Sequence, residues 1–491
     1  MNIKVYFSAL LRMRQNVLKL IKGRWAALRE EKRMRITKLH KNNILLASVL
    51  SALGLGVSNT AFAVNGFQLI GFGKDQVAVG GAVTANPSSA MTALTNPAGL
   101  TMVGERADFT LEAFMPDVRM DATESVFTGG AGNPGQKAKS SGDFYGIPSI
   151  GWVAATSDPK LFFGGGMYAT AGLGADYGTV NLNTVGNPVT GAPTTFNGYS
   201  NVTMFRVSPA LGYKVSPTLS VGAALNINML QLGFRETIAG TFHPVFGAGA
   251  FDTNFNLGRA GQSFGVGGTV GVVFDAVPDL VRLGASYTTK ANFQDTEFRL
   301  AEGDINNPGL LNGPMGAAPA GTYKAAFDFP QQAAVGVAFM PTGPLTISAD
   351  VKWINYKDTL RDFYVTGPNG TYNLQPGWDD VWVYAIGATY RSGPLKLMAG
   401  YNYSDAPIGD QNTFANLIFP AIVKHHISAG FNYALGKNWD VGAAFRYVPR
   451  ETIQGKGDLP PAAQAAGFGT DSNIKLDNQI TAMSFNIGYR F

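Results

Sequence analysis

The sequence has no cysteine, only four histidines and few charges, and no apolar run beyond residue 57 is long enough for a membrane-spanning helix. Each shortage closes a class of function. Without cysteine there is no disulfide framework and no thiolate metal site. His40 falls in a basic leader, and His243 stands alone. His425 and His426 are adjacent, so in a strand they point to opposite faces. No metal-ligand set and no Ser–His or Asp–His constellation is legible. Gly265-Val266-Gly267-Gly268 lies in a strand pattern and lacks the strand–loop–helix setting of a nucleotide site. An enzyme is not expected, nor any cofactor.

Acidic residues are scarce at the start of the chain. Residues 1–63 hold 12 Lys or Arg against Glu30 and Glu31, a net +10. Subtracting this from the whole-chain +5 leaves −5 for residues 64–491. The basic balance therefore belongs to a leader and gives no support to nucleic-acid binding. Arg33, Arg35, Lys38 and Lys41 precede an apolar run from Ile44 to Val57, and Ala61-Phe62-Ala63 supplies small residues for a signal peptidase. Cleavage is expected after Ala63, and Met34 begins a signal of ordinary length.

What is abundant is glycine (61 residues) and aromatics (32 Phe, 18 Tyr, 6 Trp). With only 14% charge, against about a quarter in ordinary soluble proteins, this suits an outer surface in lipid. Period-two segments lie near 107–115, 147–156, 161–170, 201–214, 219–231, 264–274, 280–289, 331–340, 344–355, 380–391, 394–403, 423–435, 438–448 and 480–491. Leu219, Val221, Ala223, Leu225, Ile227 and Met229 share one face; Ser220, Gly222, Asn226 and Asn228 share the other. Short links alternate with long ones, including 232–263 and 290–330. Apolar-out, polar-in alternation with this rhythm predicts an all-β, 14-stranded antiparallel transmembrane barrel in the bacterial outer membrane. The stretch 64–103, interrupted by Gly66, Gly71, Gly73, Gly80 and Gly81, fits neither strand nor regular helix and is read as a plug within the lumen. The division is thus 1–63 leader, 64–103 hatch and 104–491 barrel.

Three features carry a family resemblance: Gly66-Phe67-Gln68-Leu69 at the mature start, Asn96-Pro97-Ala98 before the first strand, and a last strand ending Tyr489-Arg490-Phe491. Together, in this order, they resemble the FadL/TodX family of outer-membrane long-chain fatty-acid and aromatic hydrocarbon transporters. The resemblance implies a hatch-gated barrel for hydrophobic compounds, an outer groove built from two long loops, an inner pocket near the hatch terminus, and lateral exit beside a distorted third strand; with no energy-coupling motif or nucleotide site legible, movement is expected to be passive. The groove candidates are Phe242, Val245, Phe246 and Phe251 in one loop, and Leu310, Leu311, Met315, Tyr323 and Phe327 in the other. Gly164, Gly165 and Gly166 mark the third strand as the lateral-gate candidate. Phe67 is expected to occupy the inner pocket in part, and Asn96 to cap the hatch backbone before Pro97.

A carboxylate guest would need a cation. Arg206, Lys214, Arg282, Lys352, Lys396 and Arg490 read as inward-facing, with Arg235 just past the fifth strand. Asp108, Glu112, Asp350 and Asp440 are available to neutralise lumenal cations. Fatty acids and neutral hydrocarbons both stay open. The expected partners are a hydrophobic small molecule, outer-membrane lipid and, through the strand ending at Phe491, the barrel-assembly machinery. A closed barrel can stand as a monomer. A diffusion porin for polar solutes and an adhesin-like structural barrel are the competing readings.

Overall fold

In the lipid-spanning strands, period-two sequence becomes period-two burial. In the computed structural model, which describes residues 64–126, 135–182, 194–240, 251–308 and 311–491, Val221, Leu225 and Ile227 face out while Ser220, Asn226 and Asn228 are buried. The leader and its cleavage site lie outside the described residues, as do Phe242, Val245, Phe246 and Leu310.

Fourteen staves form the wall. They are β1 (Arg106–Asp121), β2 (Tyr145–Ala155), β3 (Leu161–Leu173), β4 (Thr195–Val207, continued by Ala210–Lys214), β5 (Leu219–Gly240), β6 (Phe251–Val277) and β7 (Val281–Thr288). The second half comprises β8 (Gln332–Thr342), β9 (Leu345–Ile354), β10 (Val381–Ser392), β11 (Leu395–Ser404), β12 (His425–Leu435), β13 (Trp439–Gln454) and β14 (Lys475–Arg490). Each pairs antiparallel with its neighbours, and β1 pairs with β14 from Arg106↔Arg490 to Asp121↔Lys475. The seam is closed, so no backbone edge is left to hydrocarbon there.

Two expectations needed correction. β5 and β6 run well past 231 and begin well before 264, so much of the expected third loop is paired strand, as in Thr237↔Asn254. Beyond lipid the ladder persists while the apolar half of the alternation is lost. The fourth long segment and the one after β9 are also partly structured. Thr296–Leu300, Gly321–Ala325, Phe363–Gly367 and Gly370–Leu374 form a separate four-stranded sheet.

Residues 64–103 fill the lumen as short helical turns joined by irregular chain: α1 (Gly73–Ala78), α2 (Thr92–Thr95) and a 3-10 turn, Pro97–Thr101. The wall is cut to receive them. A Cβ at Gly271 would stand 2.0 Å from Asn96 Oδ1, and one at Gly400 would stand 2.2 Å from the Gly80 nitrogen. Gly222, Gly284, Gly387 and Gly442 meet the hatch in the same way. Much of the glycine therefore serves close approach to the plug.

Candidate functional site

The hatch is held by two kinds of contact. From Gly73 onward buried ion pairs and hydrogen bonds are added to small apolar clusters such as Val77, Val79 and Val83 against Met398. Asp75 pairs with Lys74 at 3.0 Å and with Lys396 of β11 at 2.8 Å. Asp350 of β9 accepts from the Val83 and Thr84 amides, both at 2.8 Å. Asp108 accepts from the Ala90 amide at 2.8 Å while pairing with Arg106, which also reaches Asp440. The Asn96 amide group donates to Thr84 O (2.8 Å) and to Val272 O of β6 (3.1 Å), and its Oδ1 accepts from the Ala98 amide (3.2 Å). Asn96 thus caps the 3-10 turn begun by Pro97 and ties it to the wall. Ala98 is fully buried, with its amide backed by Gly222.

From Val64 to Phe72 the contacts change character. Phe67 is fully buried in a ring cage of Tyr356 (centroids 5.2 Å apart), Phe327, Phe329 and Trp378 (each 5.7 Å). The Tyr356 hydroxyl donates to Asn65 O at 2.6 Å and accepts from the Phe67 amide at 3.2 Å. Gly66 has φ +69°, and a Cβ there would lie 2.6 Å from the Tyr356 ring. Only glycine lets the chain turn beneath that ring.

Phe67 and its neighbour Gln68 line two different cavities. On the long-loop side is an apolar cavity of about 50 Å³, lined by Phe67, Phe234, Phe327, Phe363, Trp378, Phe419 and several aliphatic residues, with Glu236 as the one ionisable side chain among the described residues that line it. Gln68 lines the second, a cavity of about 30 Å³ of mixed character, where Leu69, Ile70, Phe72 and Val83 stand beside Arg206, Thr288, Gln332, Phe329 and Lys352. Arg206 lies 4.8 Å over the Phe329 ring and donates from Nε to Asn228 at 2.6 Å. Its Nη2 and the Gln68 Nε2 have no hydrogen-bond partner among the described residues.

The wall opens beside this site. β2 and β3 pair only as far as Ser149↔Tyr168. Pro148 has no amide hydrogen to continue the ladder. Past Tyr168, β3 goes on pairing with β4, and its freed edge takes up the hatch instead: Gln68 bridges Ala171, and the Gly172 amide donates to Phe67 O at 3.2 Å. The glycine triplet lies just below this gap. Gly164, Gly165 and Gly166 keep register with Val153, Trp152 and Gly151. The irregularity is on their other edge, where Ser208-Pro209 interrupts β4 and Gly165 adopts φ +152°.

The other sequence candidates scatter. Phe327 lines the apolar cavity. Tyr323 is fully buried in the small sheet, its hydroxyl donating to Pro319 O. Leu311 is half-covered by the same cluster, and Met315 is 71% exposed, away from both cavities. Phe251 begins β6. Arg235 donates to Asn197 at 3.0 Å, on the strand face opposite Phe234 and Glu236. Lys214 and Arg490 are exposed near the short-turn end, where Arg490 pairs with the buried Asp440 at 3.3 Å, and Arg282 pairs with Asp275; all three keep the inward strand face but line neither cavity. The buried lumenal cations that sequence reading overlooked are Arg106 and Arg446; Arg446 pairs with Glu112 at 2.8 Å. Strand parity would have found both, because Arg106 shares a face with Asp108, and Arg446 with Asp440. Tyr356 and Trp378 were also overlooked; as loop aromatics they carry no periodic signal.

A search of curated proteins found no match. Among solved structures, the chain is similar to the Pseudomonas putida toluene transporter TodX at 20% identity, covering 87% of this chain and 100% of that one with a TM-score of 0.64. The Ralstonia pickettii toluene transporter TbuX matches at 20% identity, over 86% and 99%, with a TM-score of 0.60. A Pseudomonas aeruginosa FadL homologue matches at 15% identity, over 88% and 100%, with a TM-score of 0.63. These likenesses speak for the fold. A family profile decides membership, matching residues 51–491, and with it the integral outer-membrane location. The chain belongs to the outer membrane protein transport protein (OMPP1/FadL/TodX) family.

Proposed function

We propose that this protein passes hydrophobic small molecules across the outer membrane, passively, through its hatch-gated barrel, and that Phe67 is the moving part of the gate. The observation that carries this is that Phe67 lines an apolar, ring-lined cavity while the next residue, Gln68, and Phe329, which packs on Phe67, line a second cavity that holds Arg206 and Lys352. A guest arriving from the long loops meets rings first. Displacing Phe67 opens its way to Arg206 and Lys352 and, by lifting the hatch from the freed edge of β3, to the gap between β2 and β3. Lateral release into the membrane is the exit this arrangement supports. Transport, not catalysis, is the family's role.

The reading carries its companions. The leader ends at Ala63, the hatch spans 64–103 and the barrel 104–491. The protein works as a monomer, and β14 with Phe491 is what the assembly machinery engages. The filled lumen favours this reading over a diffusion porin for polar solutes.

Proteoliposome uptake tests it. Labelled toluene and oleate are expected to enter vesicles holding the protein faster than empty vesicles, while glucose does not. Glucose entry with no gain for toluene or oleate overturns the reading.

A further inference from the structure

Glu236 is a carboxyl set where a hydrocarbon pocket has no need of one. It shares a face of β5 with Leu232 and Phe234, and all three line the apolar cavity. Across the ladder it faces Gly198 of β4 and Phe255 of β6, neither of which offers a charge or a side-chain hydrogen bond. Among the described residues no other ionisable side chain lines the cavity, and Arg235 turns the other way to Asn197. Among the described residues the Glu236 carboxyl makes no hydrogen bond and no ion pair. A carboxyl so placed costs stability unless something in the cavity uses it.

We propose that Glu236 is a specificity-determining residue that selects aromatic guests bearing a hydroxyl group and turns away aromatic carboxylates. The inference rests on the transport reading above and narrows its substrate class. The cavity's about 50 Å³ is too little for a substituted benzene unless a side chain gives way. The ring of Phe67 is the one on the movable hatch, so an aromatic guest exchanges ring for ring. The same guest then places a substituent against Glu236. A hydroxyl donates to the carboxylate, a charge-assisted bond in a half-buried, largely apolar site. A methyl group gains nothing there. A guest carboxylate meets a like charge with no cation in the cavity to offset it.

Glu236 lies beyond the apolar belt, since its β6 partner Phe255 stands well past Phe264, the first lipid-facing ring of that strand. Burial pushes its carboxyl up to about 7, so at pH 8 it is mostly ionised and at pH 6 mostly neutral.

The experiment compares toluene, p-cresol and p-toluate, three rings of similar size. Uptake into proteoliposomes is measured at pH 8 for the wild type, E236Q and E236L. The wild type is expected to rank p-cresol first and p-toluate last. E236Q should raise p-toluate uptake about tenfold, the scale of one charge interaction in such a site. E236L should remove the p-cresol advantage over toluene, and a far-UV circular dichroism spectrum and heat-modifiable gel mobility like the wild type's show that the variant is folded. At pH 6 the wild type should reject p-toluate less strongly, and E236Q should show no such change. The same ranking in all three proteins, with toluene still entering, overturns the role of Glu236 alone. Toluene entering no faster than into empty vesicles overturns the transport reading, and this inference falls with it.

Discussion

The hatch has two halves that are anchored differently. Residues 73–103 are bolted to the wall by Asp75, Asp108 and Asp350 and by the Asn96 cap, all buried. Residues 64–72 are held by rings, one hydroxyl and a short strand-like contact with β3. Ion pairs sealed from water must be broken whole, and leaving one partner buried is expensive. Ring contacts can be traded for a guest's own rings at little net cost. The comparison supports the proposal above that the lead exchanges with the guest while the body stays as a seal.

Four substitutions break or sharpen this contrast. The largest effect is expected from Asp75→Ala, which leaves Lys74 and Lys396 buried beside each other. About 3–5 kcal/mol of hatch-body stability should be lost. Hydrogen exchange across 73–103 should accelerate and glucose should leak into proteoliposomes. An intact seal would show that the body is not bolted by charge. Phe67→Ala should cost about 3–4 kcal/mol of lead anchoring by cavity formation. Exchange should quicken at 64–72 and hydrocarbon uptake should change several-fold, with 73–103 still protected. Equal loosening of both halves would erase the distinction.

Tyr356→Phe removes one hydroxyl that serves both Asn65 and Phe67, with an expected cost of about 1–2 kcal/mol. The signature is faster amide exchange at Phe67 with an unchanged melting temperature for the barrel. Asn96→Ala should cost about 1 kcal/mol through the lost cap, confined to the body. A lower denaturant threshold for exchange near Ala98 would report it, with hydrocarbon uptake close to wild type.

The staves were legible because lipid on one side and a polar lumen on the other force a two-residue repeat that no loop imitates. Leu219 to Met229 shows it in full. The strand extensions were not legible, since from Gln231 to Gly240 both faces meet protein or water and the repeat loses its contrast. Phe67 and Asn96 stood out through motif and position. Their partners did not: Tyr356 and Trp378 are brought to Phe67 by the fold of the segments around β9 and β10, a fact of three-dimensional closure. The lumenal acids were picked correctly from strand parity. The same parity also places Arg106 and Arg446 in the lumen, where they were overlooked; reading it through both strand ends would have completed the ion pairs.

The glycines that line the wall have a consequence for recombination between relatives. Gly271, Gly400 and their neighbours leave hollows whose shapes copy the backbone of this particular plug. Wall and plug therefore form a matched mould and casting. A plug borrowed from another member, or a single alanine at Gly400, would meet solid peptide where this one finds room. Exchange between relatives should succeed when plug and wall glycines travel together, and fail when either moves alone.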